Sequence, residues 1–173
     1  MKSRHVVFSH GQESGPWGTK ITALAAVAAG EGYATHSVDY QGIADPGARV
    51  AKLVAESQAW SGNLLLCGSS MGGYVSVAAA AALRPRGVFL LAPAFTLPGV
   101  PSLSSTPLAC PATLVHGLRD DIVPFAESVA YAERFGHTLH LLNSDHRLHD
   151  QLPFICQLMR CFLHSLAPAA SGG

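Results

Sequence analysis

Residues 63–83, NLLLCGSSMGGYVSVAAAAAL, run through an apolar segment, a glycine-flanked serine and a long small-residue segment in succession. The first six residues form a short apolar run ending at Gly68, which is strand-like. From Met71 onward small and apolar residues continue to Leu83 with no proline or charge, as in a helix buried on all sides. Between the two lies Gly68-Ser69-Ser70-Met71-Gly72, with glycine two residues before and two residues after Ser70. A strand that reverses abruptly into a helix forces its central residue into strained backbone geometry. Side chains two positions away on either side would collide there unless they were glycine. The turn therefore lifts the Ser70 hydroxyl out at the carboxyl end of a sheet. The helix N-terminus beside it offers free N–H groups that favour developing negative charge. A glycine-rich turn that cradles phosphate is the competing reading. No lysine follows in the G-x-x-x-x-G-K-[ST] manner, however, and no G-x-G-x-x-G follows the first apolar run.

Outward from this turn, short apolar or β-branched runs alternate with helical spacing along the whole chain, the pattern of successive βαβ units. Strands are expected at 5–9, 34–39, 63–68, 87–92, 112–116 and 137–142. Helices are expected at 18–30, 46–60, 71–83, 124–135 and 152–166, with Asp45-Pro46 a capped helix start. Right-handed crossovers then put helices on both faces, giving a three-layer α/β/α sandwich around a mostly parallel six-stranded sheet. One domain, 1–166, accounts for this pattern, and the tail 167–173 reads as disordered. The segment 93–111, with five prolines, is a connection and not a second unit.

Composition narrows the function. Hydrophobic residues make up 49% of the chain and charged residues 13%, as in a compact globule. Eleven basic residues balance eleven acidic ones without a basic cluster, so neither nucleic acid nor an anionic membrane is expected as a partner. The first apolar run, Val6-Val7-Phe8, is far too short for a signal peptide, and no segment approaches the length of a membrane span. Cys67, Cys110, Cys156 and Cys161 lack the paired spacings of a zinc site or a disulfide scaffold, and read as reduced thiols of a cytoplasmic protein.

Four segments, Ser9-His10-Gly11, GSSMGG from Gly68, HGLRDDIVP from His116 and SDHRL from Ser144, together resemble the α/β-hydrolase superfamily over almost the whole length. Within it the chain is similar to small bacterial esterase-like members without a lid, and more loosely to acyl-protein thioesterases. It starts at what would be the third strand of the full-size pattern, so the usual N-terminal antiparallel hairpin is not expected. The resemblance implies a minimal α/β-hydrolase fold without a lid and a serine hydrolase with no cofactor and no metal. Ser70 is then the nucleophile, and Asp120 the acid by likeness to H-G-x-x-D-x-x-V-P, with Asp121 the competing assignment. His146 completes the chain order Ser, Asp, His after the last strand, with His149 as its rival. His10 and His116 are expected to organise loops. The oxyanion donors are the main-chain N–H groups of Met71, after the nucleophile, and Gln12, after the first strand.

These readings imply two-step acyl transfer on a small carboxylic ester or a thioester of short to medium chain length. Trp17 and Phe95 follow strand ends and are candidates for lining the substrate mouth. Two other classes compete. One is metal-dependent hydrolysis through His116, Asp120, Asp121, His146 and His149, which leaves the G-x-S-x-G turn unexplained. The other is a binding module that keeps the fold without the chemistry.

Overall fold

A computed structural model describes residues 3–166; the tail 167–173, expected to be disordered, lies outside the described residues. The six strands are β1 (Arg4–Ser9), β2 (Tyr33–Val38), β3 (Leu64–Ser69), β4 (Gly87–Leu91), β5 (Ala112–Gly117) and β6 (Thr138–Leu142). They form one sheet in the order β2-β1-β3-β4-β5-β6. Every pairing is parallel, where a mostly parallel sheet was expected. The helices are α1 (Thr19–Gly30), α2 (Pro46–Ser57), α3 (Met71–Leu83), α4 (Phe125–Phe135) and α5 (Leu152–Ser165). The expected helix 46–60 is α-helical only to Ser57, and its last turn tightens into a 3₁₀ turn, Gln58–Trp60. Its start is as expected, with the Asp45 carboxylate accepting from Ala48 N–H at 2.6 Å and Pro46 in the first turn.

The pleat divides the core in two. Val7, Leu64, Leu66, Val88 and Leu90 face one way and pack with α2, α3 and Tyr131 of α4. Val6, Phe8, Leu65, Cys67, Phe89 and Leu91 face the other way and pack with α1 and α5. Burying each large apolar side chain stabilises by roughly 1.5–3 kcal/mol. The central strands, covered on both faces, carry almost uninterrupted apolar runs for that reason. Helix α3 is buried on nearly every side, including Gly72, Gly73, Ala79 and Ala80, so its small residues let it lie close against the sheet. Residues 93–111, between β4 and β5, contain no helix and no strand. No cap rises there over the carboxyl ends of the strands.

Candidate active site

Ser70 occupies the junction of β3 and α3 with φ 55° and ψ −121°, outside the regions open to an ordinary L residue. Strain of about 1–3 kcal/mol is typical of such a residue. It is held by three main-chain hydrogen bonds: Ser70 N–H to Leu91 O at 3.0 Å, and Gly73 N–H and Ala94 N–H to Ser70 O at 2.9 and 3.2 Å. The two flanking glycines have no substitute. A Cβ on Gly68 would stand 2.3 Å from Gly72 O, and one on Gly72 would stand 1.9 Å from Ser9 O.

From the Ser70 hydroxyl a chain of hydrogen bonds runs into the protein. Ser70 Oγ and His146 Nε2 are 3.1 Å apart, and His146 Nδ1 is 2.7 Å from Asp120 Oδ2. The Asp120 side chain is fully buried, with its other oxygen accepting from Ile122 N–H at 2.9 Å and Val123 N–H at 2.8 Å. Burial pushes its carboxyl upward, but these N–H donors and His146 outweigh that and hold it below the usual carboxylate range. The loops bearing Asp120 and His146 are stitched together by Leu118 N–H to Leu142 O and Arg119 N–H to Ser144 O. Gly117 permits that approach, since a Cβ there would lie 2.4 Å from Ser144 O.

Asp121 and His149 line the same cleft, but neither joins this chain of hydrogen bonds. His116, expected only to organise a loop, does so and also touches the acid. Its Nε2 lies 2.9 Å from Asp120 Oδ2 and 3.0 Å from Val123 O, while Nδ1 lies 2.7 Å from Ser128 Oγ. Two acceptors at Nε2 place the proton there, leaving Nδ1 to accept from the Ser128 hydroxyl. Burial lowers the His116 pKa and so favours this neutral form. Its place at the end of β5, four residues before Asp120, was the only signal in the sequence.

Gln12 and Met71 also line the cleft, and their main-chain N–H groups have no main-chain acceptor among the described residues. The Gln12 loop is braced from below. His10 Nδ1 donates to Gly11 O at 2.7 Å while Nε2 accepts from Tyr40 N–H at 2.9 Å, an arrangement that requires the neutral ring. Burial lowers the His10 pKa accordingly. Arg49, buried on α2, donates from Nη1 to Gly11 O at 3.2 Å and from Nε to Ile43 O at 2.7 Å. Nothing in the local sequence distinguishes this arginine from a solvated one on a helix face.

The cleft has a volume of about 870 Å³. Phe95, expected at its mouth, is fully buried and stacks on Tyr131 with ring centroids 4.1 Å apart, so it belongs to the core. Ala94, Thr96, Leu97 and Pro98 supply that wall instead. Trp17 is 52% exposed and faces a separate hollow with His36 and Trp60, because the loop after Gly15 carries it over the β2 edge. Among the described residues, no group of three or more His, Cys, Asp or Glu side chains is arranged to hold a metal ion, and no helix is long and apolar enough to cross a membrane.

The fold is shared with a solved structure described as a hydrolase of the α/β superfamily from Xanthomonas campestris pv. campestris. It is 28% identical, with 94% of this chain and 99% of that chain covered at a TM-score of 0.87. The present chain is a small member of the α/β-hydrolase superfamily. A second structure from Xanthomonas campestris, described as an α/β serine hydrolase without lid, is 22% identical over 96% of this chain and 83% of its own, with a TM-score of 0.75. That likeness matches the capless fold. Among curated sequences, palmitoyl-protein thioesterase ABHD10, mitochondrial, from Bos taurus is 42% identical over 52 residues. The match covers 28% of this chain and only 17% of that protein. No family model matches the chain.

Proposed function

We propose that this hydrolase cleaves carboxylic esters of small to medium acyl chains through an acyl-enzyme on Ser70. The observation that carries the reading is the unbroken path from Ser70 Oγ through His146 to buried Asp120, opening on a cleft. Ser70 Oγ attacks the carbonyl carbon as its proton passes to His146 Nε2. Asp120 holds Nδ1–H and balances the imidazolium charge. The N–H groups of Gln12 and Met71 receive the oxyanion, aided by the N-terminal end of α3. Collapse expels the leaving group, which takes the proton from His146. Water activated by the same imidazole then releases the acid and restores Ser70.

A thioesterase with the same machinery is the second reading, favoured by the 52-residue match to a protein named as a palmitoyl-protein thioesterase. The reading keeps a small-molecule substrate and, from the cysteine spacing, a cytoplasmic setting. A fluorophosphonate probe should label Ser70 alone, and Ser70→Ala should lose activity by on the order of a million-fold while remaining folded. A panel of matched esters and thioesters of graded chain length then decides between the two leaving groups. A protein that resists the probe and cleaves neither series would be a binding module.

A further inference from the structure

Glu13, Asp121 and Arg147 line the cleft as exposed, solvated charges, whereas Lys20 combines burial with the lack of a partner among the described residues. Lys20, the second residue of α1, is mostly buried in the wall that also carries Ser70 and His146. Among the described residues no carboxylate lies within 4 Å of its ammonium and no acceptor takes a hydrogen bond from it. The surface lysine Lys52, by contrast, pairs with Glu56 at 3.7 Å. A buried cation left unpaired is costly, and its place on the helix makes the cost larger. It stands at the positive end of α1, whose first turn has no acidic residue and whose cap supplies no side-chain acceptor. Burial lowers the Lys20 pKa to about 8, against the opposing pull of Cys67 on β3 and of Asp120 and Asp145 on the loops. Those carboxylates act on it only from a distance, so the ammonium is free to meet a ligand.

The position within the cleft also indicates which half of a substrate would reach it. Helix α1 packs beside α5 on one face of the sheet, and the loop bearing His146 leads into α5. Lys20 therefore stands on the His146 flank. In acyl transfer the leaving group takes its proton from the histidine, and so lies on that flank. Leu97, Pro98 and Ile122, which also line the cleft, offer apolar surface that suits an acyl chain. Resting on the serine-hydrolase reading above, we propose that Lys20 is a specificity residue whose ammonium binds a carboxylate on the leaving alcohol or thiol of the substrate.

The test compares 4-acetoxybenzoate with 4-acetoxybenzamide, acetate esters that differ in the charge of the leaving group. Wild-type protein should favour the anionic ester in kcat/KM by about tenfold or more, chiefly through KM. Lys20→Met should abolish that ratio and Lys20→Arg should keep part of it. In wild type the ratio should fall as pH rises through about 8, where the ammonium loses its proton. Effects of Asp120, Asp145, His146 and His149 on the chemical step shared by the two esters cancel in the ratio, and the pull of Glu13, Asp121 and Arg147 on the carboxylate is the same in wild type and Lys20→Met, so the change between the two proteins reads Lys20 alone. A wild-type ratio near one, or a ratio unchanged in Lys20→Met because both esters slow alike, would overturn the proposal. The latter result would make Lys20 a support for the Asp120 loop. The wild-type ratio and its pH dependence decide even if Lys20→Met does not fold. Binding of 4-hydroxybenzoate to Ser70→Ala, followed by NMR, separates the two claims because it needs no turnover. Binding that disappears in Ser70→Ala/Lys20→Met upholds the lysine site even if neither ester is cleaved. Cleavage of both esters without preference upholds the hydrolase and removes the lysine site.

Discussion

Replacing Asp120 by asparagine tests the hydrogen-bond chain at its most constrained point. The Oδ1 side accepts from Ile122 N–H and Val123 N–H, so the amide must keep its oxygen there and turn its NH₂ toward the two imidazoles. His116 cannot adapt freely, because its Nε2–H also serves Val123 O at 3.0 Å. Giving up that proton leaves a buried carbonyl unpaired, at a cost of about 1–3 kcal/mol. His146 can adapt, but only by accepting at Nδ1 and carrying its proton on Nε2, 3.1 Å from Ser70 Oγ. In that tautomer it cannot take the serine proton. The imidazolium would also lose its balancing charge. Asp120→Asn should therefore lower kcat on an activated ester by about 10⁴-fold, or roughly 5 kcal/mol of barrier. Asp121→Asn, at an exposed residue outside the chain of hydrogen bonds, should stay within about threefold of wild type. Urea melts come first, to show that both variants are folded, followed by initial rates under saturating ester. Equal losses in the two variants, or a loss below about 100-fold in folded Asp120→Asn, would refute the assignment.

Other perturbations separate packing from chemistry. Gly72→Ala should destabilise by about 3 kcal/mol or more in urea denaturation, since its Cβ would press to 1.9 Å from Ser9 O. Gly30→Ala at the end of α1, where a Cβ meets nothing within 4 Å, should instead stabilise by up to about 1 kcal/mol. Arg49→Met should lower kcat about tenfold while fluorophosphonate still labels Ser70, because Gly11 O loses its 3.2 Å donor and the Gln12 N–H loses its alignment. An unchanged kcat would remove Arg49 from the alignment of the Gln12 N–H. Stability should fall as pH is lowered from neutral. His10 and His116 have folded-state pKa values depressed by burial, so below about 6.5 the unfolded chain takes protons first. The lowered Asp120 pKa adds a further loss as pH falls below about 4. Urea midpoints that stay level from pH 7.5 to 5 would contradict the histidine contribution.

Features that arise between near neighbours in the chain are legible in the amino-acid sequence. The turn at Ser70 is legible because the clashes that demand Gly68 and Gly72 arise within a few residues of the serine and against the neighbouring strand of any such sheet. The alternation of strands and helices is legible because burial on two faces imposes apolar runs, and element ends moved by no more than a few residues. Tertiary structure decided what depends on residues brought together from far along the chain. Asp120 reaches His146, and Asp121 does not, because the loop turns Asp120 inward onto Ile122 and Val123 N–H groups. Phe95 left the mouth of the cleft for the core because Tyr131 on α4 offers it a stacking partner. Trp17 crossed to the β2 edge, and Arg49, His116 and Lys20 acquired their places around the serine. A side chain's own neighbours in sequence do not set its desolvation or its hydrogen-bond partners. Those are set by which helix covers which end of the sheet.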